Sequence, residues 1–288
     1  MSGNDRLGRR AAPYLLTMPG MLWLVAFFLA PLVLMVTLST QTGNLLDGFR
    51  QTWHFGIYPQ VIWQYQHQFL RSFEYGGAAT IIALVVSYPL AYWIAFHGGR
   101  RKTTLLFLLI LPFFVSFVIR TLAWQFILAD DGIVLGALKR WHLLPSGYHA
   151  LATSTAVISG LAYNFLPFMA LPLYVSLERI DRSVVEAAGD LYASGRDVFL
   201  RVILPLSLPG VFAGGLLTFV PATGDYVNAD VLGGTRNNMV GNAIQREYLE
   251  FFHYPAGAAM STILMVLLLV GIFAYARALG TRSIQEYV

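Results

Sequence analysis

Apolar residues along this chain fall into six long runs, at about 14–40, 73–97, 103–128, 150–177, 206–224 and 257–278. Shorter polar stretches separate them. A hydrocarbon layer takes about 20 residues of helix to cross, so each run is long enough for one passage. In hydrocarbon, only a helix or a closed barrel satisfies its own backbone hydrogen bonds. Runs of this length predict an all-α integral membrane protein with six transmembrane helices and one domain over residues 1–288. Gly and Pro inside the runs fit this, because membrane helices tolerate both better than soluble ones. In the third run the only such residue is Pro112. The first run is too long for a signal-peptide core and has no clear A-x-A cleavage site. It is expected to remain as a span.

One polar stretch, 178–205, has a pattern of its own. It contains most of EAAGDLYASGRDVFLRVILPLSLPG, Glu186 to Gly210. At helical spacing, Val184, Val185, Ala188, Leu191 and Tyr192 share one face, with Asp181, Glu186 and Asp190 largely off it. After Ser194 and Gly195 the apolar pattern restarts at Val198, Phe199, Val202 and Ile203. Ser194 followed by Asp197 reads as a capping signal. Pro205 and Pro209 are expected to end the second helix and begin the next span. Such an insert either lies in the headgroups or docks into a groove on a soluble partner. Its acids, Asp181, Glu186, Asp190 and Asp197, offset Arg182, Arg196 and Arg201. An anionic leaflet does not favour that mixture, and partner docking is the stronger reading.

Composition agrees with the pattern. The chain is 57% hydrophobic and only 12% charged, with a mean hydropathy of +0.61. Soluble domains carry about 25% charged residues. There is no cysteine, which excludes disulfides and thiol chemistry. With the N-terminus inside, twelve of the 19 Lys and Arg residues fall on the cytoplasmic side and six outside, with Arg120 inside the third run. The positive-inside bias then predicts both termini in the cytoplasm. The first outer loop, about 41–72, carries Trp53, Tyr58, Trp63 and Tyr65. These form an interfacial aromatic belt or a docking surface for an outer partner. The loop at 225–256 is rich in Gly and Asn, which favour turns. There is no phosphate-binding G-x-x-x-x-G-K-[ST], no H-E-x-x-H and no G-x-S-x-G. The histidines are scattered without metal-ligand spacing. Nothing points to an enzyme, a metal site or nucleic-acid binding.

Glu186-Ala187-Ala188, followed at the right distance by Leu204-Pro205, resembles the EAA loop of binding-protein-dependent ABC importer permeases. The family pattern places Gly where Tyr192 stands and Ile where Val202 stands. Gly189 or Gly195 is then expected to supply the flexibility of the missing Gly. LPFFVSFVIRTLAW (Leu111 to Trp124), PATGDYVNADVLGGTRNNMVGNAI (Pro221 to Ile244) and HYPAGAAMS are similar to segments of spermidine/putrescine-type permease subunits. The resemblance covers most of residues 14–280. It implies the fold of a type I ABC importer permease in a bacterial plasma membrane, forming half of a translocation pore. It also implies a second, homologous permease subunit, an extracytoplasmic substrate-binding protein and a cytoplasmic ABC ATPase dimer. That dimer would hold the ATP and Mg, leaving no cofactor on this chain. Glu186, Ala187, Ala188, Asp190, Leu191, Tyr192, Leu204 and Pro205 would form the coupling element.

For a polyamine cargo, Asp225 and Asp230, flanking Tyr226, are the candidate carboxylates. A carboxylate holds an ammonium through a charge-assisted hydrogen bond, and aromatic faces add cation–π attraction. Capping of the broken backbone after Gly224 is the competing role for both acids. Trp124 and Tyr163 complete the candidate path, with Glu74 and Asn164 as weaker members. Arg120 is a poor cation ligand because like charges repel. Snorkelling to the headgroups or packing accounts for it better. Pro167 and Pro172 are expected to kink the fourth span. An importer of another small solute (an anion, a sugar or a metal chelate) remains open. An ion-gradient transporter fits less well, because no inverted repeat is apparent and the cytoplasmic insert would be unexplained.

Overall fold

The computed structural model describes residues 4–145 and 147–283. The chain ends, expected in the cytoplasm, lie outside the described residues. The fold is almost entirely helical, and it divides into two compact units. One comprises the N-terminal part to Gln64 with Arg246–Leu267. The other comprises Tyr65–Gln245 with the segment from Leu268 onward.

The first unit contains α1 (Asn4–Ser39) and a hairpin of β1 (Gln41–Asn44) and β2 (Gly48–Gln51), in register Gln41↔Gln51 to Asn44↔Gly48. Asn44 builds the turn, its side-chain oxygen accepting the Leu46 and Asp47 N–H groups at 2.9 and 2.8 Å. The Ser39 and Tyr58 hydroxyls meet at 2.7 Å. In the same unit Gly257 lies so close to the Tyr248 ring that a Cβ there would come within 2.5 Å of it.

The remaining helices begin at Ile57. α2 runs Ile57–His97 with one non-helical residue, Tyr65. α3 (Lys102–Ile110), α4 (Phe117–Leu128), α5 (Leu135–Arg140) and α6 (Ser154–Glu178) follow. Then come α7 (Arg182–Asp190), α8 (Gly195–Val198), α9 (Leu204–Gly224), α10 (Val227–Gly233) and α11 (Val240–Leu249), before α12 (Tyr254–Ser283). These helices lie in the second unit, except that the start of α2, the end of α11 and the first part of α12 belong to the first. Among the described residues, five helices are long and apolar enough to cross a membrane, or six if α3 and α4, a pair bent by 90°, are counted as one passage.

Three expectations change. The third run is not one straight span. A 3₁₀ turn at Leu111–Phe114 leads into extended backbone at Val115 and Ser116 (ψ 139° and 138°), and α4 leaves at 90° to α3. Pro112 has no N–H to give, so the α ladder cannot continue through it unchanged. Much of the first outer loop is helical, because α2 begins at Ile57. The Asn- and Gly-rich segment after the fifth run holds two helices, α10 and α11. Its asparagines serve as caps and ties: Asn237 Nδ2 donates to the Gly233 and Ala152 carbonyls at 2.8 and 2.9 Å, and Asn242 Oδ1 accepts the Met239 N–H at 3.0 Å.

Small residues set the packing of the second unit. On α2, Ser72, Gly76, Ala79, Ala83, Ser87, Ala91 and Ala95 form a buried stripe. On α9, Ser207, Gly210, Gly214, Thr218 and Ala222 form another. α6 packs closely along α9, and its Met169, Leu173 and Leu177 share a core with Ala83, Ala91 and Ala95 of α2. α6 stays helical through Pro167 and Pro172. The Tyr88 hydroxyl ties α2 to α9 at Ser207, 2.7 Å away.

A Cβ on Gly210 would stand 2.5 Å from the Ser176 Cβ and 2.7 Å from the Pro172 carbonyl oxygen. At exposed Gly189 nothing lies within 4 Å. Gly210→Ala is therefore expected to destabilise the chain by about 1–3 kcal/mol, the usual range for overpacking. Gly189→Ala is expected to be neutral or slightly stabilising in its helix. Thermal unfolding of both variants in detergent checks the contrast.

Candidate functional site

The coupling region is built from three local stops. Asp181 caps α7, its carboxylate accepting the Ser183 N–H at 2.9 Å. That bond holds the Asp181 carboxyl below the usual carboxylate range. No residue of α7 is fully buried. Val185 leans on the core around Tyr88 and Leu173, while Val184, Glu186, Ala187 and Asp190 are exposed. The apolar face read from spacing is thus split between the body of the unit and the outside.

The helix ends in a Schellman turn. Ala193 N–H reaches the Ala188 carbonyl at 3.2 Å, and Tyr192 N–H reaches the Gly189 carbonyl at 2.9 Å. This turn needs a left-handed residue, and Tyr192 supplies it with φ 59°. Gly189 and Gly195 take no positive φ, so neither stands in for the family's glycine. The tyrosine occupies the glycine conformation itself, at a strain of about 1 kcal/mol. Its side chain is 98% exposed, beside Leu191 at 82%.

Ser194 then caps the next helix, accepting the Asp197 N–H at 3.2 Å, as its sequence signal predicts. α8 does not stop before the fifth span. It passes through a π turn at Phe199–Ile203 directly into α9. Pro205 sits in the first turn of α9. A residue without an N–H is tolerated there, and the wider turn before it absorbs the broken ladder. Leu204 packs on the core around Ile203, and Pro205 is exposed.

The candidate path residues fall into two groups. Trp124 of α4 and Tyr163 of α6 meet edge to face, with ring centroids 5.5 Å apart. Next to them lies a buried polar network that joins α4, α6 and α10. Asn164 Nδ2 donates to the Thr121 hydroxyl at 3.0 Å and to Asn228 Oδ1 at 2.9 Å. Asn228 donates its backbone N–H to Asp225 Oδ1 at 2.7 Å and its side-chain amide at 3.2 Å. Thr121, Asn164 and Asn228 are at most 1% exposed, and Asp225 is 8% exposed. Among the described residues, Asn164 Oδ1 is buried without a hydrogen-bond partner.

Asp225 and Asp230 therefore do not form a matched pair. Asp225 is buried and closes the first turn of α10, whereas Asp230 is exposed on that helix. Tyr226 is 45% exposed, and Glu74 is exposed. Arg120 packs rather than snorkels. It is 8% exposed, with its guanidinium 4.5 Å from the Phe113 ring centre and 5.8 Å from that of Phe117. Thr121 and Asn228 escape a reading of the sequence. The only trace of Asn228 is a polar residue in VNADVL, where every other short turn residue was equally eligible.

Asp225→Ala removes an acceptor that holds two donors and is expected to destabilise the chain by about 1–3 kcal/mol, the cost of orphaned buried groups. Asp225→Asn keeps a side-chain oxygen at the cap and is expected to stay closer to wild type. The difference in unfolding temperature between the two separates the oxygen's structural role from that of its charge.

The model of the family described as binding-protein-dependent transport system inner membrane component matches residues 87–284. The spermidine/putrescine transport system permease protein PotB of Haemophilus influenzae is 40% identical over 264 residues, covering 89% of this chain and 90% of that one. The Escherichia coli protein of the same name is 34% identical over 257 residues, covering 89% and 94%. A crystal structure of a bacterial ABC transporter involved in the import of the acidic polysaccharide alginate has a chain of the same fold. Its TM-score is 0.69 at 16% identity, with 96% of this chain and 98% of that one covered. The long apolar helices, the exposed α7 and these similarities lead to one assignment: this chain belongs to the family of inner membrane components of binding-protein-dependent transport systems, with the fold of a type I ABC importer permease.

Proposed function

We propose that this chain is the permease subunit of an ATP-driven importer of polyamines, and that α7 couples it to a cytoplasmic ABC ATPase. The observation that carries the coupling role is α7 itself. It is a capped, stopped helix with no fully buried residue, and it displays Glu186 and Ala187 to the outside. A helix fixed at both ends yet unburied is suited to a groove on another protein. The cargo class rests on the 40% identity to a spermidine/putrescine permease. The Trp124–Tyr163 pair and the Asp225 network supply the matching chemistry, since aromatic faces and oxygen acceptors suit ammonium groups.

Under this reading the chain performs no covalent chemistry and holds no cofactor. ATP and Mg belong to the ATPase dimer. A binding protein outside delivers the cargo, and a second permease subunit completes the pore. Both termini face the cytoplasm with α7, as the distribution of Arg and Lys favours. Closure of the ATPase pulls on α7. Because α8 runs through its π turn into α9, that pull crosses only the short turn at 191–194 before it reaches a membrane-crossing helix.

The test is uptake of labelled spermidine at low external concentration by cells lacking this chain, with and without its restoration. Wild type is expected to restore uptake. Glu186→Lys is expected to abolish it while the protein stays in the membrane fraction at normal level. Asp225→Asn is expected to reduce it at least tenfold, the loss of about 1.4 kcal/mol. Uptake untouched by deletion, once redundant systems are removed, excludes the polyamine cargo and turns the search to other solutes. Full transport in Glu186→Lys removes the coupling assignment.

A further inference from the structure

The turn after α7 holds a residue whose side chain stands open to the outside. Tyr192 adopts φ 59°, a region that favours glycine. Two turn hydrogen bonds, Tyr192 N–H to Gly189 and Ala193 N–H to Ala188, keep it there. Strain of this kind persists only where the surrounding structure enforces it, and it gathers at functional sites. Yet the ring is 98% exposed, and among the described residues it takes part in no ring contact. Leu191 beside it is 82% exposed. On the same helix Glu186 and Asp190 are exposed, and among the described residues neither is in an ion pair.

We propose that Tyr192, with Leu191 beside it, is the aromatic anchor that seats this loop in the ABC ATPase. This proposal rests on the reading of α7 as the coupling helix and goes beyond it. A tyrosine in a conformation that favours glycine exchanges local strain for an apolar contact that only the assembled transporter completes. The receiving surface then has an apolar pocket for the ring and a basic rim facing Glu186 and Asp190. Aromatic residues in desolvated pockets dominate interface energies. The anchor is also preorganised. The Asp181 cap, the Schellman turn and the Ser194 cap fix its position before docking, so little ordering is required on binding.

Folding and docking therefore pull residue 192 in opposite directions. Glycine relaxes the turn and removes the ring. The experiment uses the chain with its partner permease in nanodiscs. The probe is the purified ABC ATPase subunit of the spermidine/putrescine system from the same organism. Tyr192→Gly is expected to keep or raise the unfolding temperature while weakening ATPase binding by about tenfold or more. Tyr192→Phe, which keeps the ring, is expected to bind within about threefold of wild type, since the ring supplies most of the contact. Tyr192→Gly binding as tightly as wild type overturns the proposal. Binding that Glu186→Lys abolishes but Tyr192→Gly leaves intact overturns the anchor alone and keeps the coupling helix. An ATPase that ignores the wild-type chain overturns both.

Discussion

Helices in a hydrocarbon solvent gain little from hiding apolar side chains, since lipid tails are equally apolar. What holds this fold is close approach where side chains are missing. Gly210 and Gly214 let α9 lie against the backbone of α6 at Pro172, Leu173 and Met169. Gly76 does the same for α2 against Thr223. Dispersion contacts are individually tiny and fall off steeply with separation, so the close approach at these points lets the three helices pack along their length. The rest of the second unit is arranged around that trio. α4 and α10 attach to α6 through Asn164 and Leu161, while α7 follows its C-terminal end.

How much of this was legible depends on what each feature requires. The apolar passages needed only length and hydropathy, and the runs show both. The cap at Ser194 needed a short side chain three residues from its target, which is local chemistry, while the same kind of cap at Asp181 escapes the sequence reading. The break at Val115–Ser116 was not legible, because hydropathy measures how apolar a segment is and not which way it travels. The network of Thr121, Asn164, Asn228 and Asp225 was hidden for another reason. Its members lie 43 to 107 positions apart where they bond across helices, and only the fold brings them together. The Asn-rich loop looked like turns because Asn favours turns. Here the same side-chain amides finish helices instead.

Tyr192 is the most instructive departure. Its position was marked by the missing glycine, and the natural guess was that a neighbouring glycine compensates. The backbone shows otherwise. The turn pattern of helix α7 dictates where the left-handed residue must stand, and a glycine three residues earlier or later cannot serve. The fold itself is silent about cargo. A chain 16% identical, from an importer of an acidic polysaccharide, shares it over nearly the whole length. Discrimination between cargoes must then reside in side chains, and under the proposed reading those around Tyr163 and Asp225 are the candidates.

Asp225 carries one further implication. Its Oδ1 already accepts two hydrogen bonds from Asn228. An ammonium arriving there would meet an oxygen whose attraction is partly spent, and would have to compete with the donors of α10. Such a carboxylate makes a poor trap. A conduit needs contacts firm enough to admit an ion and weak enough to release it. Under the proposed reading, the capping of α10 sets the dwell time of a passing cation, and short dwell favours throughput over retention.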